Sequence, residues 1–562
     1  MRTSVRRGWL AAVAGLLLAG CAGVPDSGPV RIGPKVADVG GGIVDATVQE
    51  VPAAPAPGAD PVQLVSGFLR AMVDSDSGYS VARSYLTSDA AWSPGSGITV
   101  FSEPSRILRT GRSSVEVRAH RVGVLGPHGV YRVDPGTISR RYSVVRRNGE
   151  WRISKLAAGV LLSSEDTGRV LQPAALYFLT PDGDRVVPQP VLEPPQEPGL
   201  ATTLMRGLLA GPNPLLAPGV RTAVPRGTTL VGNVPINADG VADVDLSASS
   251  GEISAPQLRR LSAQIVWTLR QLSSVTAVRL LANGTPLEAP GVASLQLVTS
   301  WPQFDPAQPP AVGGALLVRA GHVVGLGTRV PPALRGRHVH AATRSRDGRV
   351  VAAVGVSGGR TELLVGRPDD ARLRVRLRAV APTTPSFGPA NEVVAVSSSG
   401  AVYAVPASGP VKRVTLSGPL GHAQVRQVAI SRDGTRAALV VATPDGNELD
   451  LATVVRTGSR LAFRAPRIVV PRTSDVSGVA WSGAAELVTT VAIRDGRGVV
   501  KVATNGYLVR DLSGPGLPTD VDSVAAVPGR RVLASDSAGT WQLLDERWRK
   551  VSAAGTPTYA GG

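Results

Sequence analysis

The C-terminal part of the chain repeats a short turn motif, and this repeat constrains the fold more than any other feature. Ser345-Arg346-Asp347-Gly348 recurs 86 residues later as Ser431-Arg432-Asp433-Gly434. Weaker copies follow the same series at Ser386-Phe387-Gly388-Pro389, Trp481-Ser482-Gly483 and Val527-Pro528-Gly529. A period of about 41–50 residues, with several strands in each unit, is typical of β-propeller blades. We therefore predict a propeller of five to six blades over residues 313–562, in which the strand pair 315–318 and 322–325 begins a sixth blade or closes the ring.

The residue types of this motif explain why it marks a turn. Its Ser and Asp side chains can bond nearby backbone amides, and its glycine supplies a positive φ. We expect a tight hairpin with a structural role. Sixty-four glycines and 46 prolines agree with a chain that is rich in turns and strands.

The N-terminus has the pattern of an export signal. Three arginines precede an apolar run, residues 9–19, which is about half as long as a bilayer-spanning helix. The run ends at Leu18, Ala19, Gly20 and Cys21, and Cys21 is the only cysteine in 562 residues. This is similar to the lipobox of bacterial lipoproteins, in which the signal peptidase recognises the small residues and the thiol receives a diacylglyceryl group. An incidental thiol behind an ordinary signal is the alternative.

We accordingly predict a signal peptide over residues 1–20, lipidation at Cys21 and a flexible tether over residues 21–59. The tether prediction follows from its Gly, Pro, Ala and Val content, which shows neither a helical nor a strand period. A single cysteine that carries lipid leaves no intramolecular disulfide.

Residues 60–165 are expected to form an α+β domain. Asp60-Pro61 begins a helix, with Asp60 as N-cap and Gln63 completing a capping box. A short helix around 81–86 follows, then strands at 114–124, 130–133, 136–146 and 151–156, with a hairpin turn at Asn148-Gly149. Two helices before such a sheet look like the fold of nuclear-transport-factor-2-like (NTF2-like) domains.

Residues 170–300 are expected to form a second α+β domain. Strands at 175–179, 241–247 and 275–281 alternate with helices at 202–209 and after Ser254-Ala255-Pro256-Gln257, a second capping box. This order, with the segments LLAGP, VPRGTTL and DGVADVDLS, resembles the GerMN domain of spore-germination proteins. Asp243 and Asp245 share one strand face. We expect them to oppose arginines at a solvated edge, since two carboxylates are too few for calcium; a cation-binding rim is the alternative.

The formal net charge of +18 bears on possible partners. It would favour anionic phospholipid or an anionic cell-wall polymer, and export makes nucleic acid an improbable partner. Because the arginines are dispersed along the chain and not clustered, a GC-rich genome is the preferred explanation for them.

Two patterns imitate catalytic or metal sites. Gly355-Val356-Ser357-Gly358-Gly359 fits the nucleophile pattern G-x-S-x-G, but the residues after it predict a strand where the elbow requires a helix. His338 and His340 could share a strand face, yet no third ligand is near in sequence. We therefore predict no catalytic residue, no metal site and no cofactor, and expect that the chain is not an enzyme.

Taken in order, the lipobox, tether, α+β domain, GerMN-like domain and propeller resemble the LpqB lipoprotein family of high-GC Gram-positive bacteria. The resemblance implies a lipid-anchored protein on the extracytoplasmic side of the cell membrane. It further implies binding to a sensor histidine kinase of the MtrA–MtrB type, with effects on cell envelope and division. Only Cys21 carries over as a functional residue. An envelope scaffold, a lipoprotein that binds a cell-wall ligand, a solute-binding lipoprotein and a propeller hydrolase are the alternatives.

Overall fold

The computed structural model of the chain describes residues 53–75, 78–195, 199–247, 253–507 and 509–561. The predicted signal peptide, the lipidation site Cys21 and its recognition residues Leu18, Ala19 and Gly20 lie outside these residues, as does most of the predicted tether. The described residues form two α+β domains followed by a ring of β-sheets.

The first domain packs helices on a five-stranded sheet. Its elements are α1 (Pro61–Ala71), α2 (Ser80–Ser84), β1 (Ile98–Gly111), β2 (Ser114–Leu125), β3 (Tyr131–Arg147), β4 (Glu150–Lys155), β5 (Val160–Ser163) and α3 (Ser164–Val170). The sheet order is β4-β3-β2-β1-β5, antiparallel except for β1 and β5. The predicted capping box is confirmed, because Asp60 accepts from the Val62 and Gln63 amides and the Gln63 side chain accepts from the Asp60 amide. The apolar stripe of α1, including Leu64 and Phe68, is buried in the domain core.

Two strands of this sheet differ from the sequence prediction because of β-bulges. β1 was not predicted, since its register against β2 shifts at Val100/Phe101 and Ser102/Arg106 and so breaks the period of two. β3 is one strand where two segments were predicted. Pro135 lies within its register shift, where a proline interrupts no ladder hydrogen bond. The likeness to NTF2-like domains stays a prediction.

The described end of the predicted tether is fastened to the first domain. The Tyr85 hydroxyl donates to the Ala53 carbonyl at 2.8 Å, and the Gly58 amide donates to the Glu150 carboxylate at 3.1 Å. Glu150 begins β4 directly after the β3–β4 turn, so the chain enters the domain beside that hairpin. Ala53 and Gly58, at the described end of the predicted tether, are therefore hydrogen-bonded to the domain.

The second domain combines a hairpin, two helices and a small sheet. Its elements are β6 (Gln172–Leu179), β7 (Val186–Glu193), α4 (Gly199–Ala210), β8 (Val241–Leu246), α5 (Ala255–Leu269), β9 (Ala277–Ala282), β10 (Thr285–Pro286) and β11 (Leu295–Leu297). β9 pairs in parallel with β8 and antiparallel with β10 and β11. The inward faces of β8 and β9 join the helices in one apolar core.

α5 and Gln271, two residues after its end, also bind β6 through a polar stripe. Gln264 donates to the Tyr177 carbonyl at 3.0 Å, Thr268 accepts from the Tyr177 amide at 3.2 Å, and Gln271 bonds both backbone groups of Ala175. These side chains at i, i+4 and i+7 satisfy backbone groups along β6 that would otherwise be buried without partners.

The N-terminus of α5 confirms only half of the predicted second capping box. The Ser254 hydroxyl accepts from the Gln257 amide, as a capping Ser does. The Gln257 side chain donates to the Ala223 carbonyl at 3.4 Å and so ties the helix to the preceding loop.

The C-terminal region consists of short strands grouped into separate sheets. In chain order they are β12 (Ala315–Arg319), β13 (His322–Leu326), β14 (Val339–Arg344), β15 (Val351–Ser357), β16 (Arg360–Gly366), β17 (Arg374–Arg378), β18 (Ser386–Phe387), β19 (Val393–Val396), β20 (Val402–Val405), β21 (Lys412–Arg413), β22 (Thr415–Leu416), β23 (Gln424–Ile430), β24 (Arg436–Thr443), β25 (Gly446–Thr457), β26 (Arg460–Val470), β27 (Gly478–Trp481), β28 (Glu486–Ile493), β29 (Gly496–Ala503), β30 (Val509–Asp511), β31 (Ser523–Ala525), β32 (Leu533–Ser535), β33 (Thr540–Leu544), β34 (Arg547–Ser552) and β35 (Thr556–Tyr559). The sheets are β14–β17, β18–β21, β22–β26, β27–β30, β31–β34, and β13-β12-β35. Within the described residues this makes six blades, which confirms the propeller.

The two ends of this region meet in one blade. The C-terminal strand β35 pairs antiparallel with β12, from Ala315↔Tyr559 to Val318↔Thr556. β35 also lies next to β14 and β31, the first strands of the two neighbouring blades. Apolar clusters fill the space between successive blades, including Ala315 and Leu533 beside β35. The predicted extra strand pair therefore completes a sixth blade and closes the ring.

Candidate functional site

The predicted lipidation site is in a part of the chain that the structure does not describe, so Cys21 stays a prediction. No helix within the described ranges is both long enough and apolar enough to cross a membrane. The candidate sites that the structure can place are the carboxylate pair, the G-x-S-x-G segment, the histidines and the repeated turns.

Asp243 and Asp245 each bind a partner within the second domain. Asp243 lies opposite Arg279 on the parallel pair β8–β9, with its carboxylate 3.3 Å from the guanidinium. Both carboxylate oxygens of Asp245 accept from the Gly284 amide at 3.0 Å. The expected opposing arginine is therefore present for Asp243, whereas Asp245 lies opposite Leu281 and binds the Asn283-Gly284 turn.

Ser357 lies at the end of a blade strand. It is the last residue of β15, and β16 begins at Arg360 after two glycines with positive φ. The strand–turn–helix geometry of a nucleophile elbow is thus replaced by a hairpin between blade strands. The structure gives Ser357 a place in a blade turn.

His338 contacts a histidine from elsewhere in the chain. The His338 ring contacts the His322 ring edge-on, with centroids 5.7 Å apart, while His340 is exposed to solvent. Among the described residues, no three His, Cys, Asp or Glu side chains converge closely enough to hold a metal ion.

The two complete copies of the turn motif form the same hydrogen-bond network. Ser345 donates to Asp347 at 2.6 Å and accepts from the Val350 amide at 3.0 Å. In the second copy Ser431 donates to Asp433 at 2.7 Å and accepts from the Arg436 amide at 3.0 Å. The predicted tight hairpin is confirmed in both copies.

The arginines of these turns make long-range contacts that the sequence does not reveal. Arg346 donates to the carbonyls of Ser431, at 2.8 Å, and Arg432. It therefore joins two blades that are not neighbours in sequence. Burial, with Arg432 nearby, lowers the pKa of Arg346 to about 9, so the group remains cationic at neutral pH.

The edge of the ring that carries these turns docks on the second domain. Arg436, which is fully buried, donates to the carbonyls of Pro188 in β7 and, at 3.3 Å, Ala484. Thr453 in β25 donates to the Leu215 carbonyl at 2.5 Å. A Cβ on Gly219 would lie 2.5 Å from the Thr453 methyl group, so this approach requires a glycine.

The first domain also contacts the propeller beside the edge that docks on the second domain. Tyr131 at the start of β3 packs edge-on against Tyr507, with ring centroids 5.1 Å apart. A small cavity where the three domains meet is lined by residues of each of them, among them Tyr131, Gln189, Arg436 and Arg467. Burial, with Arg436 nearby, lowers the pKa of Arg467 to about 10. We call these contacts the interdomain junction; they unite the three domains in one body.

Sequence reasoning missed the interdomain junction. Arg436 is the second residue after the second turn motif, at the position where the first copy has Val350, and this difference is the signal that the sequence offers. A charged residue at a position that is apolar in the other copy suggests a contact outside the blade.

Three family models match the chain. The model described as "Lipoprotein LpqB, N-terminal domain" matches residues 54–168. The model described as "Sporulation and spore germination" matches residues 175–288, and "Lipoprotein LpqB beta-propeller domain" matches residues 317–560. The fold and these matches define a lipoprotein in which a GerMN-type domain precedes a β-propeller.

Relatives match this chain over nearly the whole length of both sequences. Lipoprotein LpqB of Rhodococcus opacus (strain B4) is 30% identical, over 98% of this chain and 96% of its own. Lipoprotein LpqB of Thermobifida fusca (strain YX) is 28% identical over 97% of each chain. Among solved structures, the first GerMN domain of Bacillus subtilis GerM is 28% identical, covering 22% of this chain and 92% of that domain, with a TM-score of 0.18. The chain belongs to the LpqB lipoprotein family.

This membership confirms the resemblance found in the sequence. A lipoprotein family implies an envelope protein that is anchored to a membrane, and the family is not a known enzyme.

Proposed function

We propose that the chain is an extracytoplasmic lipoprotein, anchored through Cys21, that binds a sensor histidine kinase and modulates its signalling. The observation that carries this proposal is the joining of three modules into one body by the interdomain junction. Such a body offers a partner a surface that spans several domains, and membership of a lipoprotein family supports a position at a membrane.

The lipid would hold this body where a membrane kinase is found. Each buried CH₂ of an acyl chain contributes about 0.8 kcal/mol, so two or more chains anchor a protein firmly. Confinement to one surface converts binding into a high-effective-concentration encounter, and a weak contact is then enough. A contact that differs between two kinase states shifts their populations.

Crosslinking in intact cells tests the partner. We expect the wild-type chain to crosslink to the extracytoplasmic part of a sensor kinase, identified by mass spectrometry, and the Cys21→Ala chain to lose most of this product. Crosslinks only to wall polymer or to other envelope proteins would contradict the proposal and favour the scaffold.

Signalling output separates a regulator from a scaffold. Deletion of the gene should change the expression of the kinase's target genes, and the wild-type chain should restore it. The matched control is Cys21→Ala, made at the same level but not lipidated. An unchanged output after deletion would contradict regulation even if crosslinks were found.

A further inference from the structure

One face of the first domain's sheet is uncovered and carries many cations. Strands β1 to β3 turn Val117, Ile138 and Val144 toward the helices and the apolar core. The residues between them point to the opposite side. Register places them in rows that cross the sheet: Arg106↔Arg118↔Ser139, Leu108↔Glu116↔Arg141, Ser143↔Lys155 and Val145↔Arg152. We call this side the basic sheet face.

The charges on this face are not balanced. Glu116 is its one carboxylate among the described residues of these rows, and Arg118 already binds it at 3.1 Å. Within the described part of the chain, Arg106, Arg152 and Lys155 have no carboxylate within ion-pair distance, and Arg141, opposite Glu116, shares the field of that one carboxylate with Arg118. The face therefore presents an excess of positive charge to an anionic partner.

Apolar side chains lie among these cations. Leu108 stands 40% exposed in the row of Glu116 and Arg141, and Val145, opposite Arg152, is partly exposed. A surface that mixes arginine and lysine with exposed aliphatic groups suits the headgroup region of a membrane, which accepts both.

The described chain enters the first domain at the strand that carries part of this face. Gly58 is bonded to Glu150 at the start of β4, the strand that also carries Arg152 and Lys155. The 32 residues from Cys21 to residue 52 can span at most about 110 Å, at roughly 3.5 Å per residue. A lipid on Cys21 would thus keep the face within reach of its own membrane.

We propose that the basic sheet face binds the anionic phospholipid headgroups of the membrane that holds the Cys21 lipid. This second contact would set how the body lies on the membrane. The proposal takes its membrane from the proposed anchoring, but it does not depend on a kinase partner.

Vesicle binding tests the face without the anchor. The mature chain, residues 21–562 with Cys21→Ala, is sedimented with vesicles of phosphatidylglycerol and phosphatidylcholine, or of phosphatidylcholine alone. We expect binding to the anionic vesicles only, and its loss at high salt because screening weakens exposed charges. The test variant combines Arg106→Gln, Arg141→Gln, Arg152→Gln and Lys155→Gln. It should bind roughly 100-fold more weakly, since each cation near an anionic leaflet contributes a factor of about five before screening.

A matched variant controls for net charge. It removes four exposed cations from the propeller, Arg360→Gln, Arg372→Gln, Arg374→Gln and Arg413→Gln. It should keep wild-type binding, and thermal unfolding should show that both variants fold like the wild type.

Three results would overturn the proposal: no binding to anionic vesicles, equal weakening in both variants, or preference for soluble polyphosphate over vesicles, which indicates a polymer ligand. Failure here leaves the crosslinking and signalling outcomes unaffected, so the two proposals fail separately.

Discussion

The two copies of the Ser-Arg-Asp-Gly turn are alike in sequence but lie in different surroundings. Both form the same Ser–Asp and Ser–amide hydrogen bonds. The side chain of Asp347 is 39% exposed, however, whereas that of Asp433 is 1% exposed. Arg346 donates to two carbonyls of the other copy, whereas the Arg432 Nε is buried with no hydrogen-bond partner among the described residues.

This difference shows which properties of a turn belong to its sequence. Its hydrogen bonds join residues at most five positions apart, so both copies form them wherever they lie. The contribution of each side chain to stability depends on how deeply it is buried. The second copy is buried at the interdomain junction. Substitutions in matched positions can therefore separate the local contribution from the tertiary one.

Loss of the Arg436 side chain should have the largest effect. Arg436→Met removes the bonds to Pro188 and Ala484 and leaves Asp433, 3.9 Å away, buried without its cation. Removing one partner of a buried pair costs about 3–5 kcal/mol, to be measured as the free energy of urea unfolding. The control is Arg349→Met beside the first copy, where the arginine side chain is 84% exposed and the expected loss is below about 0.5 kcal/mol. Equal losses would show that the junction does not distinguish the copies.

The next largest difference in unfolding free energy should be between substitutions of the two turn arginines, Arg346 and Arg432. Arg346→Ala removes two hydrogen bonds from a cation, and we expect unfolding free energy to fall by about 2 kcal/mol. Arg432→Ala should be neutral or stabilising. Burial, with Arg185 nearby, lowers the pKa of Arg432 to about 10. The folded state therefore destabilises the charged form of this side chain relative to water. A larger loss for Arg432 than for Arg346 in the same urea titration would contradict this assignment.

The turn glycines should give smaller and more similar effects. Gly348 and Gly434 have φ of 74° and 75°, so alanine costs each copy about 1 kcal/mol of backbone strain. A Cβ at Gly434 would also lie 2.5 Å from the Pro389 ring, against 2.7 Å from a Val312 methyl at Gly348. In thermal unfolding, the melting temperature should therefore be lowest for Gly434→Ala, higher for Gly348→Ala and highest for the wild type. A wild-type melting temperature for either variant would show that the positive φ is not needed.

The smallest expected effect concerns pH. Burial acts to raise the pKa of Asp347, but hydrogen bonds from Ser345, the Arg349 amide and Asn391 outweigh it, so the pKa lies below its usual value. A lowered pKa stabilises the fold above the unfolded-state value near 4, and this contribution is lost as pH falls through the folded-state value. Asp347→Asn should thus cost less than about 1 kcal/mol at pH 7, after discounting for solvent screening, and less still below pH 4. Urea unfolding at several pH values checks this, and a cost that grows on acidification would contradict it.

Much of the fold was predictable where hydrogen bonds are local. Asp60 caps α1 as predicted, and Asn148 and Gly149 both adopt the positive φ of a tight hairpin turn. The turn motif likewise predicted the blades and their period. Bulged β1 escaped prediction because bulges destroy the alternation that marks a strand, and the Gln264–Thr268–Gln271 stripe escaped because its partners lie some 90 residues away.

The candidate sites likewise divide into those that the sequence assigned and those that depend on tertiary contacts. Sequence alone was sufficient to assign Asp243, Asp245 and Ser357 to structural positions, because the strand and turn signals around them are strong. It could not show that His338 meets His322, or that three domains share a junction, since these contacts depend on how whole domains pack.

By itself, the sequence determined the turns, the capping box at Asp60 and the repeat that marks a propeller, because each follows from bonds within a few residues or from a repeated pattern. The pairing of β35 with β12, which closes the ring, came from the structure. Only the tertiary structure decided which of two identical turns is buried and which arginines lose their water. The reason is distance along the chain: Arg436 and Pro188 are 248 residues apart. No local preference encodes such a contact, which forms only when the packed domains exclude solvent between them.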